Sequence, residues 1–189
     1  LEKFLTEIAR SGFTFNLPKC SFSEPEVKFV GRIVGSGMHR PDPSKVATVA
    51  NLKRPETKKE VRQMLGCFSH FASYIPAYAN LSKCLTDLTS KRTNNKINWS
   101  QQHEDAFVRL KTLLCDACNH PLHVIDFSVP FNSSCDASGY AVSGILSQTD
   151  TKGKEKPIAF TSKKLSEAQA HAWSIIEKEA YAVLHSLIQ

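Results

Sequence analysis

Three strand-like runs followed by a helix constrain this chain more than any other feature. Residues 131–136, 141–148 and 157–164 are short apolar or β-branched stretches separated by Gly and polar turns. A polar loop from Thr149 to Lys156 joins the last two as a hairpin. Helical periodicity begins at Ser166. Three strands and a helix, with no residues left for more, make an unfinished α/β unit rather than a closed domain.

The final helical run, His171 to Gln189, carries an apolar stripe at Ile176, Ala180, Val183, Leu184 and Leu187. Glu179 falls on that stripe, whereas Glu177 lies about 100° away by helical pitch. A carboxylate facing a core is costly unless something compensates it. A bound metal is one such compensation, and it needs a second acid nearby. Asp136, in Ser-Ser-Cys-Asp-Ala-Ser-Gly at the end of the first strand-like run, is the candidate. Two plainer readings stand beside this one. Asp-Ala-Ser-Gly is also an ordinary strand-end turn, and Glu179 could be a helix edge that reaches water.

Upstream, residues 1–11 read as a helix with Phe4, Leu5 and Ile8 on one face and Gly12 as its stop. Residues 13–17 and 27–34 read as strands, and Gly35-Ser36-Gly37 as a turn. Arg40-Pro41-Asp42-Pro43-Ser44 is a rigid connector and a boundary, with Ser44 capping a short helix that carries Val46, Val49 and Ala50. Thr57-Lys-Lys-Glu60 is a capping box for a helix with Val61, Met64, Leu65, Phe68, Ala72 and Ile75 on its apolar face, ended by Pro76. A shorter turn with Leu81, Cys84, Leu85 and Leu88 follows, then a Thr93-Asn94-Asn95 loop. Ser100 caps another helix bearing Ala106, Phe107, Leu110, Leu113 and Leu114. Residues 44–115 are thus a helical block.

Charge is concentrated in that block. Residues 53–111 hold 11 Lys+Arg against 5 Asp+Glu, while the whole chain holds 24 against 18, so the remainder is neutral. Lys53, Arg54, Lys58, Lys59 and Arg62 begin this excess, which continues through Lys83, Lys91, Arg92, Lys96, Arg109 and Lys111. A basic helical segment is suited to reading a phosphate backbone; a solvated helical surface is the plain alternative.

No apolar run approaches the ~20 residues of a membrane span, and the N-terminus has no signal-peptide layout. It reads as the middle of a helix, as if cut from something longer. Six scattered Cys without secretory features point to a reducing, intracellular compartment, cytoplasmic or nuclear. Cys115, Cys118, His120 and His123 resemble zinc ligands, but four ligands within nine residues with Pro121 among them is not a usual zinc-finger spacing. Phe68, Phe71, Tyr74 and Tyr78 could stack bases, although the helical spacing of Phe68 suits a core. Lys152, Lys154 and Lys156 lie in the hairpin loop, where a substrate contact competes with simple solvation.

One family unites these pieces. Phe29-Val-Gly-Arg-Ile-Val-Gly-Ser-Gly-Met-His-Arg-Pro-Asp-Pro-Ser-Lys-Val46 resembles the end of the reverse-transcriptase palm and the entry to its thumb in gypsy-type LTR retrotransposon Pol polyproteins. Arg54-Pro-Glu-Thr-Lys-Lys-Glu-Val-Arg-Gln-Met-Leu-Gly66 and Tyr74-Ile-Pro76 resemble the thumb. Leu85-Thr-Asp-Leu88 and residues 99–114 resemble its connection to ribonuclease H. Cys135-Asp-Ala-Ser138, Gly144-Ile-Leu-Ser-Gln148, Pro157-Ile-Ala-Phe160, Leu165-Ser166 and Glu177-Lys-Glu-Ala-Tyr-Ala182 resemble the opening half of the ribonuclease H domain. A position often occupied by Tyr in that family is Trp173 here.

The resemblance implies an α+β chain: a palm end (1–40), a helical thumb (41–95), a connection (96–128) and a truncated ribonuclease H-like α/β domain (129–189). It implies that Asp136 and Glu179 are two of four acids holding two Mg²⁺ ions, which activate water and stabilise the leaving oxygen as RNA in a hybrid is cut. The palm hairpin would lie near the primer terminus. The implied partners are an RNA–DNA hybrid, a template–primer duplex and the rest of the Pol polyprotein. The polymerase signature Tyr-x-Asp-Asp is absent and is expected before Leu1, with the other two ribonuclease H acids after Gln189. The isolated chain is therefore expected to catalyse neither RNA-directed DNA synthesis nor hybrid cleavage. The alternative is a dead or repurposed retroelement remnant that only binds nucleic acid. An incomplete ribonuclease H sheet also predicts aggregation through its open edge.

Overall fold

Glycines and left-handed residues at the start of the chain fold it back on itself twice. The computed structural model describes residues 2–90 and 94–188. Helix α1 (Glu2–Arg10) buries none of its residues, and Gly12, at φ +73°, follows its end. The strand expected over 13–17 does not form; the chain is irregular there, with a short 3₁₀ turn at Leu17–Lys19. Phe13 and Phe15 are exposed, so no packed face rewards pairing. The single strand expected over 27–34 is instead a hairpin of β1 (Glu26–Phe29) and β2 (Arg32–Gly35). Val30 and Gly31, both at positive φ (46° and 75°), make its two-residue turn. Ser36 and Gly37 reverse the chain again into β3 (Met38–Pro41), as the sequence suggested.

The helical block forms as a set of capped helices. In α2 (Pro43–Ala50) the cap is Asp42 rather than the expected Ser44: the Asp42 carboxylate accepts the backbone N–H of Ser44 at 3.0 Å, and Pro43 occupies the first turn. Helix α3 (Lys58–Ser69) has the expected Thr57–Glu60 capping box. It stops before Pro76, at Ser69, and a 3₁₀ turn (Ala72–Tyr74) intervenes. Helix α4 (Tyr78–Asp87) follows Ala77, which is left-handed and provides no side-chain cap. Helix α5 (Gln101–Asn119) has a capping box closed by Ser100 and His103. Val46, Val61, Met64, Phe68, Tyr74, Ile75, Leu85, Phe107, Leu110, Leu114 and Leu122 form one core. That core runs from the segment read as thumb into the segment read as connection. Strand β4 (Leu122–His123) then pairs with β3, completing a sheet of order β1-β2-β3-β4.

The second sheet is antiparallel, β5 (Phe131–Ala137), β6 (Ala141–Thr149) and β7 (Glu155–Lys164), in that order. All three strands match the sequence reading. The register is irregular between Leu146 and Ser147, opposite Pro157, which has no N–H to give the ladder. Helix α6 (Glu167–Ala172) has a Ser166–Gln169 capping box, and the extended backbone of Trp173 separates it from α7 (Ile175–Ile188). The expected single helix from His171 is therefore two. Helix α7 packs across β5 and β6, whereas α4 and the 3₁₀ turn pack on β7 and its neighbours. Phe160 of β7 joins the helical core. The chain is α+β.

Candidate functional site

Strand β5 is an edge strand, paired only with β6. Cys135 and Ala137 pack with Val142, Leu165 and Ala182 in a small core under α7. Strand alternation turns the intervening Asp136 to the other side of β5, and Asp136 is exposed.

Helix α7 faces the sheet with a different surface from the one its apolar residues suggested. Lys178 and Ala182 are its buried residues, with Tyr181, His185 and Ser186 partly covered. Ile176, Val183, Leu184 and Leu187 are 73%, 48%, 52% and 72% exposed. The stripe carrying Glu179 therefore points away from the sheet, and Glu179 is exposed. The expectation that Glu179 faces this core is corrected. Two features explain the choice of face. Gly144 lets Ser186 approach the sheet so closely that an added Cβ would lie 2.1 Å from its Oγ, and Tyr181 and His185 reach Lys163 and Thr161 on β7. By helical pitch Glu179 lies away from Tyr181 and His185. Helix α7 and β5 thus bring together the two elements bearing Asp136 and Glu179. Neither carboxylate has a hydrogen-bonding or ion-pairing partner among the described residues.

The turn after Asp136 is held tightly. The Ser138 hydroxyl accepts the N–H of Ala141 at 3.0 Å and donates to its carbonyl at 2.9 Å. Lys178, beside Glu179, is 8% exposed and donates to the carbonyls of Ala170 at 2.8 Å and Gly139 at 3.4 Å. A buried ammonium held by carbonyls rather than by a carboxylate is a feature the sequence did not reveal, because Lys178 reads as part of a charged Glu-Lys-Glu run. Trp173 stacks edge-on against Tyr181 with ring centroids 5.1 Å apart, keeping the aromatic contact the substitution for Tyr implied.

The basic block divides into structural and exposed cations. Lys53, Arg54, Lys59 and Arg62 are exposed, and Lys58 is half-buried. The Arg54 guanidinium sits 5.6 Å from the Trp99 ring centroid, and Arg62 donates to the Thr89 carbonyl at 3.2 Å. Lys111 is structural: it donates to the Leu52 carbonyl at 2.6 Å and lies over the Phe107 ring at 4.1 Å. Burial lowers its pKa, against the pull of Glu104 and Cys115. Lys83 is ion-paired with Asp87 at 2.8 Å. Lys91, Arg92 and Thr93 lie outside the described residues. Phe68, Phe71 and Tyr74 are buried, so they are core side chains and not stacking platforms.

No group of three or more His, Cys, Asp or Glu gathers to hold a metal among the described residues. Cys118 is directed at the Pro41 carbonyl, and His120 lies 3.0 Å from the Asp116 carbonyl, so Cys115, Cys118, His120 and His123 do not gather as a set of ligands. In the hairpin loop, Asp150 accepts the backbone N–H groups of Lys152 and Lys154 and pairs with Lys156 at 3.4 Å. No helix among the described residues is long and apolar enough to cross a membrane.

Residues 99–189 match the RNase H-like domain found in reverse transcriptase. The chain is 31% identical over 196 residues to the retrovirus-related Pol polyprotein from transposon opus of Drosophila melanogaster, covering 99% of this chain and 19% of that protein. It is 32% identical over 185 residues to the Pol polyprotein from transposon 297 of the same organism, covering 97% of this chain and 16% of that protein. It is 30% identical over 183 residues to the transposon Tf2-3 polyprotein of Schizosaccharomyces pombe, covering 97% of this chain and 13% of that protein. The chain therefore spans less than a fifth of these relatives. Among solved structures, it resembles the foamy viral protease-reverse transcriptase in complex with double-stranded DNA, with a TM-score of 0.78, 24% identity, and coverage of 99% of this chain and 32% of that one. The same enzyme in complex with RNA/DNA hybrid gives a TM-score of 0.77 at 24% identity, covering 99% of this chain and 25% of that one.

Proposed function

The chain belongs with the Pol polyproteins of retrotransposons, its residues 99–189 being an RNase H-like domain of the reverse-transcriptase kind, and from that premise we propose that it serves RNA-directed DNA synthesis coupled to hydrolysis of RNA in RNA–DNA hybrids. The observation that supports this reading is the packing of α7 across β5, which makes neighbours of the two elements that carry the exposed carboxylates Asp136 and Glu179. We place the parent protein among the gypsy-type elements and inside the cell.

The roles divide along the chain. Asp136 and Glu179 are hard oxygen donors of the kind Mg²⁺ prefers. No third ligand joins them among the described residues, so they would form part of a metal site. When bound, Mg²⁺ supplies an activated water and neutralises the leaving oxygen. Asp136 and Glu179 would orient those ions, and Lys178 and Ser138 hold the turn beside Asp136. Lys53, Arg54, Lys58, Lys59 and Arg62 contact the phosphates of a hybrid or a template–primer duplex. Their affinity would then fall steeply with salt.

Binding of fluorescent hybrid to this chain, followed from about 50 to about 200 mM salt, tests the nucleic-acid part. A steep linear loss on logarithmic axes is expected, and a flat line would remove the phosphate contacts from the account. Hybrid cleavage by a complete Pol protein carrying Asp136→Asn tests the catalytic part. Retained cleavage would remove Asp136 from the catalytic site, and hybrid binding without cleavage by the unsubstituted protein would favour the rival reading of a remnant that only binds nucleic acid.

A further inference from the structure

Asn80, Lys83 and Asp87 are spaced i, i+3 and i+7 on α4, so they share one face. The other side of the helix buries Leu85 and Leu88 in the helical core. A polar stripe on an amphipathic helix ordinarily faces water. Here it faces the RNase H-like unit. The one proton of the Ser138 hydroxyl is shared between two acceptors, the Ala141 carbonyl at 2.9 Å and Asn80 Oδ1 at 3.2 Å. The Lys83 ammonium lies 5.1 Å from the Tyr140 ring centroid. Asp87 bridges Lys83 at 2.8 Å and Lys164 at 2.5 Å. At the helix start, Ser162 of β7 accepts the backbone N–H of Ala79 at 2.9 Å.

Two of these contacts meet the turn that follows Asp136 directly, through Ser138 and Tyr140. The same turn is gripped from its other side by Lys178 of α7. The strand end bearing one carboxylate is thus clamped between a thumb helix and the helix bearing the other.

We propose that Asn80 is a positioning residue: together with Lys83 and Asp87 it makes the outer face of α4 a docking surface that fixes the Ser138–Ala141 turn, and with it Asp136, relative to the basic helical block. The proposal rests on the reading of Asp136 as a ribonuclease H acid. Its consequence is that the distance between the primer terminus and the cut in the RNA strand is set in part by α4, through a joint within this chain.

The docking itself is tested without activity. Hydrogen exchange is followed for the Tyr140 and Ala141 amides, with the amides of α4 and of the β6–β7 ladder as references for folding. Asn80→Ala is expected to speed exchange of the turn amides about tenfold while the references stay slow. Asn80→Asp, which keeps an acceptor oxygen at that position, is expected to restore much of the protection. Unchanged exchange in Asn80→Ala, or equal acceleration of turn and references, would overturn the docking. The functional consequence is tested in a complete Pol protein extending a primer on RNA. Asn80→Ala is expected to scatter the position of RNA cuts relative to the primer end, with Asn80→Asp sharpening it again. A wild-type cut pattern despite a loosened turn would overturn the positioning role. Loss of cutting by Asp136→Asn, or its absence, reports separately on the underlying assignment.

Discussion

Ser162 caps helix α4 from strand β7 of the second sheet: its Oγ accepts the Ala79 backbone N–H at 2.9 Å across 83 residues of sequence. Ala77 cannot provide this cap, since it has no polar side chain and sits at φ +50°. One orphan donor of the first turn is therefore satisfied by the sheet. The helical block and the RNase H-like sheet stabilise each other through this bond and through Phe160.

Ser162→Ala should destabilise the chain by about 1 kcal/mol, the usual value of a lost N-cap. Denaturant unfolding measures it. Ser162→Thr should retain most of the stability, because the hydroxyl remains. Equal stability of wild type and Ser162→Ala would mean that water replaces the cap.

Gly144→Ala should be more damaging than its size suggests. The new Cβ would stand 2.1 Å from Ser186 Oγ, 3.0 Å from Ser186 Cβ and 3.2 Å from Thr161 Cγ2. Overpacking of this kind costs about 1–3 kcal/mol, and it should lift α7 from β6. Adding Ser186→Gly should recover much of the loss in thermal unfolding. A Gly144→Ala chain as stable as wild type would show that α7 is not seated on β6 as described.

Stability should fall on mild acidification. Burial, then the Arg32 and His123 charges, lower the pKa of His39 below its ordinary 6.5. Its Nδ1 lies 2.6 Å from the Tyr74 hydroxyl. Burial first also lowers the pKa values of His103, His123 and His185. The folded state thus prefers neutral imidazoles. Their contribution is present above pH 6.5 and is lost as pH falls through the lowered folded values. Denaturation midpoints at pH 7.5 should exceed those at lower pH, with a smaller difference in His39→Gln. Identical midpoints throughout that window would contradict the partly buried placement of these rings.

Charge removal in the basic block should act on affinity in a graded way. Lys53→Ala with Lys59→Ala should reduce the magnitude of the salt slope of hybrid binding by about 2 if each touches one phosphate. Lys111→Ala should instead lower stability, because Lys111 is bonded to the Leu52 carbonyl. If the paired substitution left the slope unaltered, these two lysines would not face the duplex.

Local signals were legible in the sequence, and long-range placement was not. The strands β5 to β7 and the Thr57–Glu60 capping box follow from alternation and capping chemistry carried within a few residues. The orientation of α7 does not. It has two competing faces, and the larger apolar one is not the one seated on the sheet. The close approach of Ser186 at Gly144 and the reach of Lys178 to the Gly139 carbonyl decide the matter, and both depend on residues far apart in sequence. The Val30–Gly31 turn was hidden for a different reason, since a β-branched residue at positive φ contradicts local preference. Asp136 was legible as a candidate from its strand-end position. Its clamp was not, because Asn80, Lys83 and Asp87 look like an ordinary solvated stripe.

The most direct measurement compares RNA cleavage and DNA synthesis in a complete Pol protein carrying this segment, wild type against Asp136→Asn, on the same RNA-templated primer with Mg²⁺. Asp136 is exposed and has no partner among the described residues, so the substitution should leave folding within about 0.5 kcal/mol of wild type. The account predicts that hybrid cleavage is abolished while primer extension continues. Cleavage at the wild-type rate in Asp136→Asn would contradict it.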